Sequence, residues 1–250
     1  MLNEVSIPKF IVTAVALLFS LSVHEASHAT AVYWLSDDAI SRERITLNPM
    51  SHIDIVGTVL VPFVMFFTSG PCIAWAKPVI YRSDLLTRKF KAKISKALIS
   101  ATGPLSNIVV GAIFSVIIAL YVIALTSDVG LRHVFYTAAI NNMPEDLMAL
   151  NKISTENTTL LCLCGASVHV NITIAVLNML PIRPLDGSDI VAGFLPDHWQ
   201  DRYNTFQQNP FSHIVLMLVV LSSTLTPLLD NITNSMQNVL TGIAKLMLKM

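Results

Sequence analysis

Residues 10–35 read FIVTAVALLFSLSVHEASHATAVYWL, and this stretch decides the class of the chain. It holds His24-Glu25-Ala26-Ser27-His28 inside an otherwise uncharged apolar run. The run is long enough to cross a bilayer, which takes ~20 predominantly apolar residues. In a helix the two histidines stand roughly 40° apart around the axis, so both can grip one ion from one face. The glutamate between them suits a general base acting on a water at that ion. A charge at the centre of a spanning helix costs ~2.5–3.5 kcal/mol on insertion scales. Two histidines and an acid at that depth need a compensating use, and metal ligation is the most economical one. The alternative is a trio of packing residues facing a water-filled cavity.

Composition points the same way. Of 250 residues, 53% are hydrophobic and 13% charged, with a mean hydropathy of +0.62, whereas soluble domains carry about 25% charged residues. The expected fold class is all-α and polytopic, in a membrane. Sixteen Lys+Arg balance sixteen Asp+Glu, so there is no electrostatic case for a nucleic-acid partner. Cys72, Cys162 and Cys164 lie in apolar context and read as small core residues. The first apolar run is too long for a cleavable signal peptide.

Apolar segments fall at 10–35, 53–76, 97–126, 160–182 and 211–229. The second is broken by Gly57, Pro62 and Ser69-Gly70-Pro71 and reads as kinked or re-entrant. Residues 231–250 alternate polar and apolar side chains and read as an interfacial amphipathic helix. The expectation is one integral membrane domain over 1–250, with its core at 10–195. Lys77, Arg82, Arg88, Lys89, Lys91, Lys93 and Lys96 precede the third segment and place that loop in the cytoplasm. The 127–159 connection sets Asp128, Glu145, Asp146 and Glu156 against Arg132 and Lys152 and suits the outer face. The third span then runs outward and the fourth inward.

A catalytic zinc site takes three protein ligands and one open position. The best third candidate is Asp186, in Asn178-Met-Leu-Pro-Ile-Arg-Pro-Leu-Asp-Gly187. Pro181 and Pro184 break the fourth helix just before it. Broken backbone at membrane depth is tolerated only where it is buried in protein or lines a cavity. The alternative is a Pro-rich loop with an Asp-Gly turn outside the bilayer, and Asp189 and His198 are weaker candidates.

HExxH in one span with Asn-x-x-Pro-x-x-x-Leu-Asp-Gly in a later one resembles the site-2 protease family of intramembrane zinc metalloproteases. Gly103-Pro104-Leu105-Ser106-Asn107 is similar to the Gly-Pro-x-x-Asn of that family's middle core helix. Leu47-Asn-Pro-Met-Ser-His-Ile-Asp54, Gly57-Thr58 and Trp75-Ala-Lys-Pro-Val79 resemble its compact branch, and no PDZ-like or CBS-like insertion is visible. The resemblance implies one zinc ion per chain on His24, His28 and Asp186, with Glu25 as the base. It also implies that the first and fourth helices run in the same direction, which makes 53–76 re-entrant if the basic loop is cytoplasmic. Arg183 departs from the pattern: a cation so close to a zinc ligand either snorkels to the headgroups or pairs with Asp189.

Four more polar residues are candidates for substrate contact or for support of the ligands. Asn171 and Asn178 share one helical face and can bond an extended substrate or glue helices together. Asn107 is an oxyanion or substrate contact, or caps a kink after Pro104. His52 sits near a membrane edge. The expected function is hydrolysis of peptide bonds in or near transmembrane segments of membrane proteins, at a cell-membrane site opening to the cytoplasm. A membrane metal transporter and a catalytically silent regulator with the same fold are the rival readings.

Overall fold

The computed structural model describes residues 7–36, 39–68, 74–77, 79, 86, 89–141, 147, 153–209 and 226–248. Among them every regular element is helical. Three helices are long and apolar enough to cross a membrane: α1 (Ile7–Ser36), α4 (Ala92–Leu125) and α6 (Thr155–Asn178). They match the first, third and fourth apolar segments. Between α1 and α4 come α2 (Ala39–Arg42), a 3-10 turn (Pro49–Ser51) and a π-helix (Ile55–Leu60) that continues as α3 (Val61–Thr68). After α4 come α5 (Val129–Ile140) and, past α6, α7 (Asp186–Phe194), α8 (Asp197–Gln208) and α9 (Thr226–Met247). The 211–229 segment lies largely outside the described residues.

α4 starts five residues before the apolar stretch expected at 97, because Lys93 is anchored. Its ammonium donates to the Asp197 carboxylate and, at 3.2 Å, to the Leu195 carbonyl. Along the same helix Leu105, Val109, Ile113, Ile117 and Leu120 are all exposed. A row of aliphatic side chains at helical spacing facing outward is what a lipid-facing surface requires.

The 53–76 segment returns to its own start. The Trp75 N–H donates to the Gly57 carbonyl at 3.2 Å and the Lys77 N–H to the His52 carbonyl at 2.8 Å. The Thr58 hydroxyl reaches the Trp75 carbonyl at 2.8 Å. A Cβ at Gly57 would collide with the Trp75 indole, so glycine is what lets the ring close on this backbone. Asp54 opens the π-helix by accepting from the N–H groups of Val56 and Gly57. Ends that share hydrogen bonds cannot stand on opposite sides of a hydrocarbon layer about 30 Å thick. The segment is a hairpin.

The chain divides into two compact units. The first holds Met1–Ser20, Ile108–Thr173 and Asn231–Met250. Its interior joins Phe19 to Phe114 edge-to-face and the Ser115 hydroxyl to the Tyr136 hydroxyl at 2.7 Å. On α9, Thr233, Gln237, Thr241 and Ala244 are buried while Ile232, Val239 and Leu246 face outward. The helix is amphipathic with its apolar stripe exposed. The second unit, Leu21–Asn107 and Ile174–Asp230, contains the candidate site.

Candidate active site

His24 and His28 come from α1, one turn apart, and both are buried. Their Nε2 atoms are 3.1 Å apart. Asp186, the first residue of α7, brings its Oδ2 to 3.1 Å from Nε2 of His24 and 3.3 Å from Nε2 of His28. Among the described residues this is the group of histidine, cysteine and acidic side chains placed to hold a metal ion. Asp189 and His198 are not part of it.

The imidazole tautomers follow from what lies behind each ring. Nδ1 of His28 is 2.8 Å from the carbonyl oxygen of Ile99, which can only accept, so that nitrogen carries the proton. Nδ1 of His24 likewise donates to Oδ1 of Asn107 at 2.7 Å. Both Nε2 atoms therefore turn lone pairs toward the Asp186 oxygen. That oxygen is buried and accepts no hydrogen bond. Three lone pairs meeting in a closed space repel unless a positive charge sits between them. A proton can bridge one pair, whereas a divalent ion satisfies all three. A tetrahedral ion with bonds of about 2.0–2.2 Å separates its ligand atoms by about 3.3–3.6 Å, and the observed triangle of 3.1–3.3 Å is within a few tenths of that. The donor set fits zinc.

Each ligand has an identifiable support. α4 carries both Ile99 and Asn107, and between them Gly103 leaves the space that the imidazoles fill. At the end of α6 the chain breaks through Pro181–Leu185 and restarts as α7. Gly187 lets α7 lie directly on the carbonyls of Met179 and Leu180, where a Cβ would collide. Arg183 pairs with Asp189 at 3.2 Å, which accounts for a cation so near a ligand. Glu25 is buried and directly follows the ligand His24 on α1.

The weaker candidates are placed differently. Asn107 touches a ligand directly, through His24. Asn171 donates to the Ser20 hydroxyl and the Ser167 carbonyl, both at 2.7 Å, within the first unit. Asn178 donates to the Ile174 carbonyl of its own helix at 3.0 Å. His52 is buried near the hairpin base, with Nε2 on the Thr46 carbonyl at 2.9 Å. Sequence reasoning missed Tyr203 and Gln207 on α8. Both donate to the Pro181 carbonyl at 2.8 Å, and Gln207 Oε1 accepts from the Arg183 N–H at 2.8 Å. Their i,i+4 spacing on a polar helix was the available signal.

The family model of peptidase family M50 matches residues 12–222. The chain belongs to peptidase family M50, the site-2 protease family. It is 25% identical over 185 residues to a Bacillus subtilis (strain 168) protein named "Putative zinc metalloprotease YwhC", covering 73% of this chain and 68% of that one. No solved structure matches it. Membership and the apolar helices make this M50 protein a multi-pass membrane protein of a metalloprotease family.

Proposed function

We propose that this M50 protein is a zinc endopeptidase that cleaves membrane-protein substrates in or near their transmembrane segments. One zinc per chain is held by Nε2 of His24, Nε2 of His28 and the Asp186 carboxylate. The observation that carries the reading is the convergence of three lone-pair atoms, with the buried Glu25 next to His24 on the same helix. When bound, zinc supplies Lewis acidity, polarising a carbonyl and bringing the pKa of water from 15.7 toward ~7. Glu25 takes the proton of the attacking water and later hands it to the departing amine. Asn107 and the Ile99 carbonyl keep both imidazoles in the tautomer that ligates. One carboxylate among two neutral imidazoles leaves the loaded site net positive, which favours the oxyanion that develops on the substrate carbonyl.

A substrate helix hides its carbonyls in hydrogen bonds and behind side chains, so it must unwind locally before Glu25 can act. Helix-weakening residues near the scissile bond therefore favour cleavage. Hydrolysis consumes water, and the break at 181–186 is the polar approach to His24 and His28, opening on the cytoplasmic side if the basic loop lies there.

The test is cleavage of a model transmembrane peptide by purified protein, with and without a chelator. Wild type should cleave and stop on chelation. Glu25→Gln should keep stoichiometric zinc and lose hydrolysis, because the amide cannot take a proton. A metal transporter or a silent relative would show no chelator-sensitive cleavage in the wild type. Cleavage that survives Glu25→Gln would remove Glu25 from the role of base.

A further inference from the structure

A cavity of about 270 Å³ lies between the start of α4, the break after α6, α7 and one face of α8. It is separate from the metal triangle, since none of His24, His28 and Asp186 lines it. Three cations do: Lys93 and Lys96 of α4 and Arg183 of the break, with Asp189 as the carboxylate among them. From α8 come Gln200, Asn204 and Gln208, four residues apart and so on one helical face. None of these three amide side chains has a hydrogen-bond partner among the described residues.

Two of the cations are already matched. Arg183 gives Nη2 to Asp189 at 3.2 Å, and Lys93 donates to the Leu195 carbonyl at 3.2 Å and to Asp197, which lies outside the lining. Lys96 is half-buried and has no carboxylate partner among the described residues. It is the positive charge left over, and a cation withdrawn from water without a partner is costly. The cavity therefore favours an anion. A carboxylate offers two oxygens in one plane. A phosphate spreads its oxygens tetrahedrally, which suits donors arriving from α4, the break and α8 at once, and the guanidinium fork matches it. The volume is just under the ~300–1,000 Å³ of small-molecule pockets, room for a phosphate with its ester group.

The position of the cavity points to the source of that phosphate. Lys96 immediately precedes Ala97, where the uncharged stretch of α4 begins, so the cavity lies where the helix meets the headgroups. In the adjoining helices Phe194, Trp199 and Phe206 are exposed, and the Arg202 guanidinium lies 5.7 Å from the centre of the Trp199 ring. Aromatic side chains of this kind gather at the membrane–water interface, and basic pockets at that level bind anionic headgroups.

We propose that this cavity binds the phosphate of an anionic phospholipid, with Lys96 and Arg183 as its charged donors and the α8 amides as its neutral ones. The lipid then bridges α4, the break and α8. The site is independent of peptide hydrolysis, and its test touches no metal ligand.

Full-length protein in a non-ionic detergent, stripped of co-purified lipid, is melted with added phosphatidylglycerol, phosphatidylcholine or inorganic phosphate. Phosphatidylglycerol should raise Tm saturably, and phosphatidylcholine, which carries no net charge, should raise it less. Lys96→Gln should weaken the apparent affinity for phosphatidylglycerol roughly 10–100-fold, the worth of a hydrogen bond to a charged group. Lys91→Gln removes the same charge from an exposed position outside the lining. It should cost under about 5-fold, a surface lysine's share of the attraction to anionic lipid. Equal losses in the two variants would overturn the site, as would a Tm indifferent to phosphatidylglycerol and phosphate alike. If Lys96→Gln does not fold, Asn204→Asp decides, because it sets a carboxylate among the donors with little change of shape. A 10-fold or larger loss there supports the proposal, and a smaller one sinks it. A Lys96-dependent rise with inorganic phosphate and none with phosphatidylglycerol would overturn the lipid and leave a soluble phosphate compound as the occupant.

Discussion

A methyl group at residue 103 would lie 2.5 Å from Nε2 of His28 and 2.6 Å from Cε1 of His24, in the space where the ligand atoms meet. Nothing flexible is there to give way, since both rings are pinned from behind by Ile99 and Asn107. Gly103→Ala should therefore lose zinc as well as activity, with an overpacking cost of about 1–3 kcal/mol. Metal analysis of the purified variant checks this, and full zinc content would show that the rings can yield. The same crowding of lone pairs makes the metal a stability element. Zinc at 100 times its Kd should add about 2.7 kcal/mol, seen as a drop in Tm on chelation. Asp186→Ala should abolish that chelator-dependent difference. A wild-type Tm indifferent to chelation would count against zinc between these three side chains.

The element that decides where Asp186 stands is the break between α6 and α7, and α8 holds that break in shape. Gln207 serves two backbone groups of it, while Tyr203 shares one of the two. Gln207→Leu leaves the part-buried Arg183 N–H without its acceptor, at about 1 kcal/mol, and loosens the support of the adjoining turn. Tm and kcat should both fall. Tyr203→Phe should cost less, because the Pro181 carbonyl keeps Gln207. Equal effects of the two variants, by thermal melting and peptide cleavage, would show that Gln207 does not brace the break in the way its contacts indicate. α7 meets α4 through Gly193, where a Cβ would press on Ala97, so the helix that carries Asp186 is seated closely on the helix that orients the histidines.

For the molecule in its membrane, the hairpin between α1 and α4 sets how the spans alternate. Its ends are joined by hydrogen bonds near His52 and Lys77, so α1 ends and α4 begins on one side. The cations from Lys77 to Lys96 argue that this side is cytoplasmic. Cysteines introduced singly at Met50 and Phe90, both exposed, in a background lacking Cys72, Cys162 and Cys164, should label from the same side. In cells that side should be the inner one. Labelling from opposite faces would mean that the hairpin opens in the bilayer, and labelling of both from outside would reverse the orientation without touching the ligand set.

What the sequence determined alone was local. The HExxH register follows from the pitch of one helix, the spans from the length of apolar runs, and the end of α6 from two prolines that cannot continue it. Each is fixed within a turn or two of chain, so residue order suffices to read it. The pairing of Arg183 with Asp189 was an option left open by sequence and chosen by packing. The tertiary structure alone decided which atoms stand behind the ligands: the Ile99 carbonyl and Asn107 on α4, and Gln207 and Tyr203 under the prolines. Ile99 acts through a backbone carbonyl that any residue would carry, and Gln207 is an amide on a polar helix like many others. Their roles arise from contacts between residues far apart in sequence, and the pattern of a single chain records no such partner.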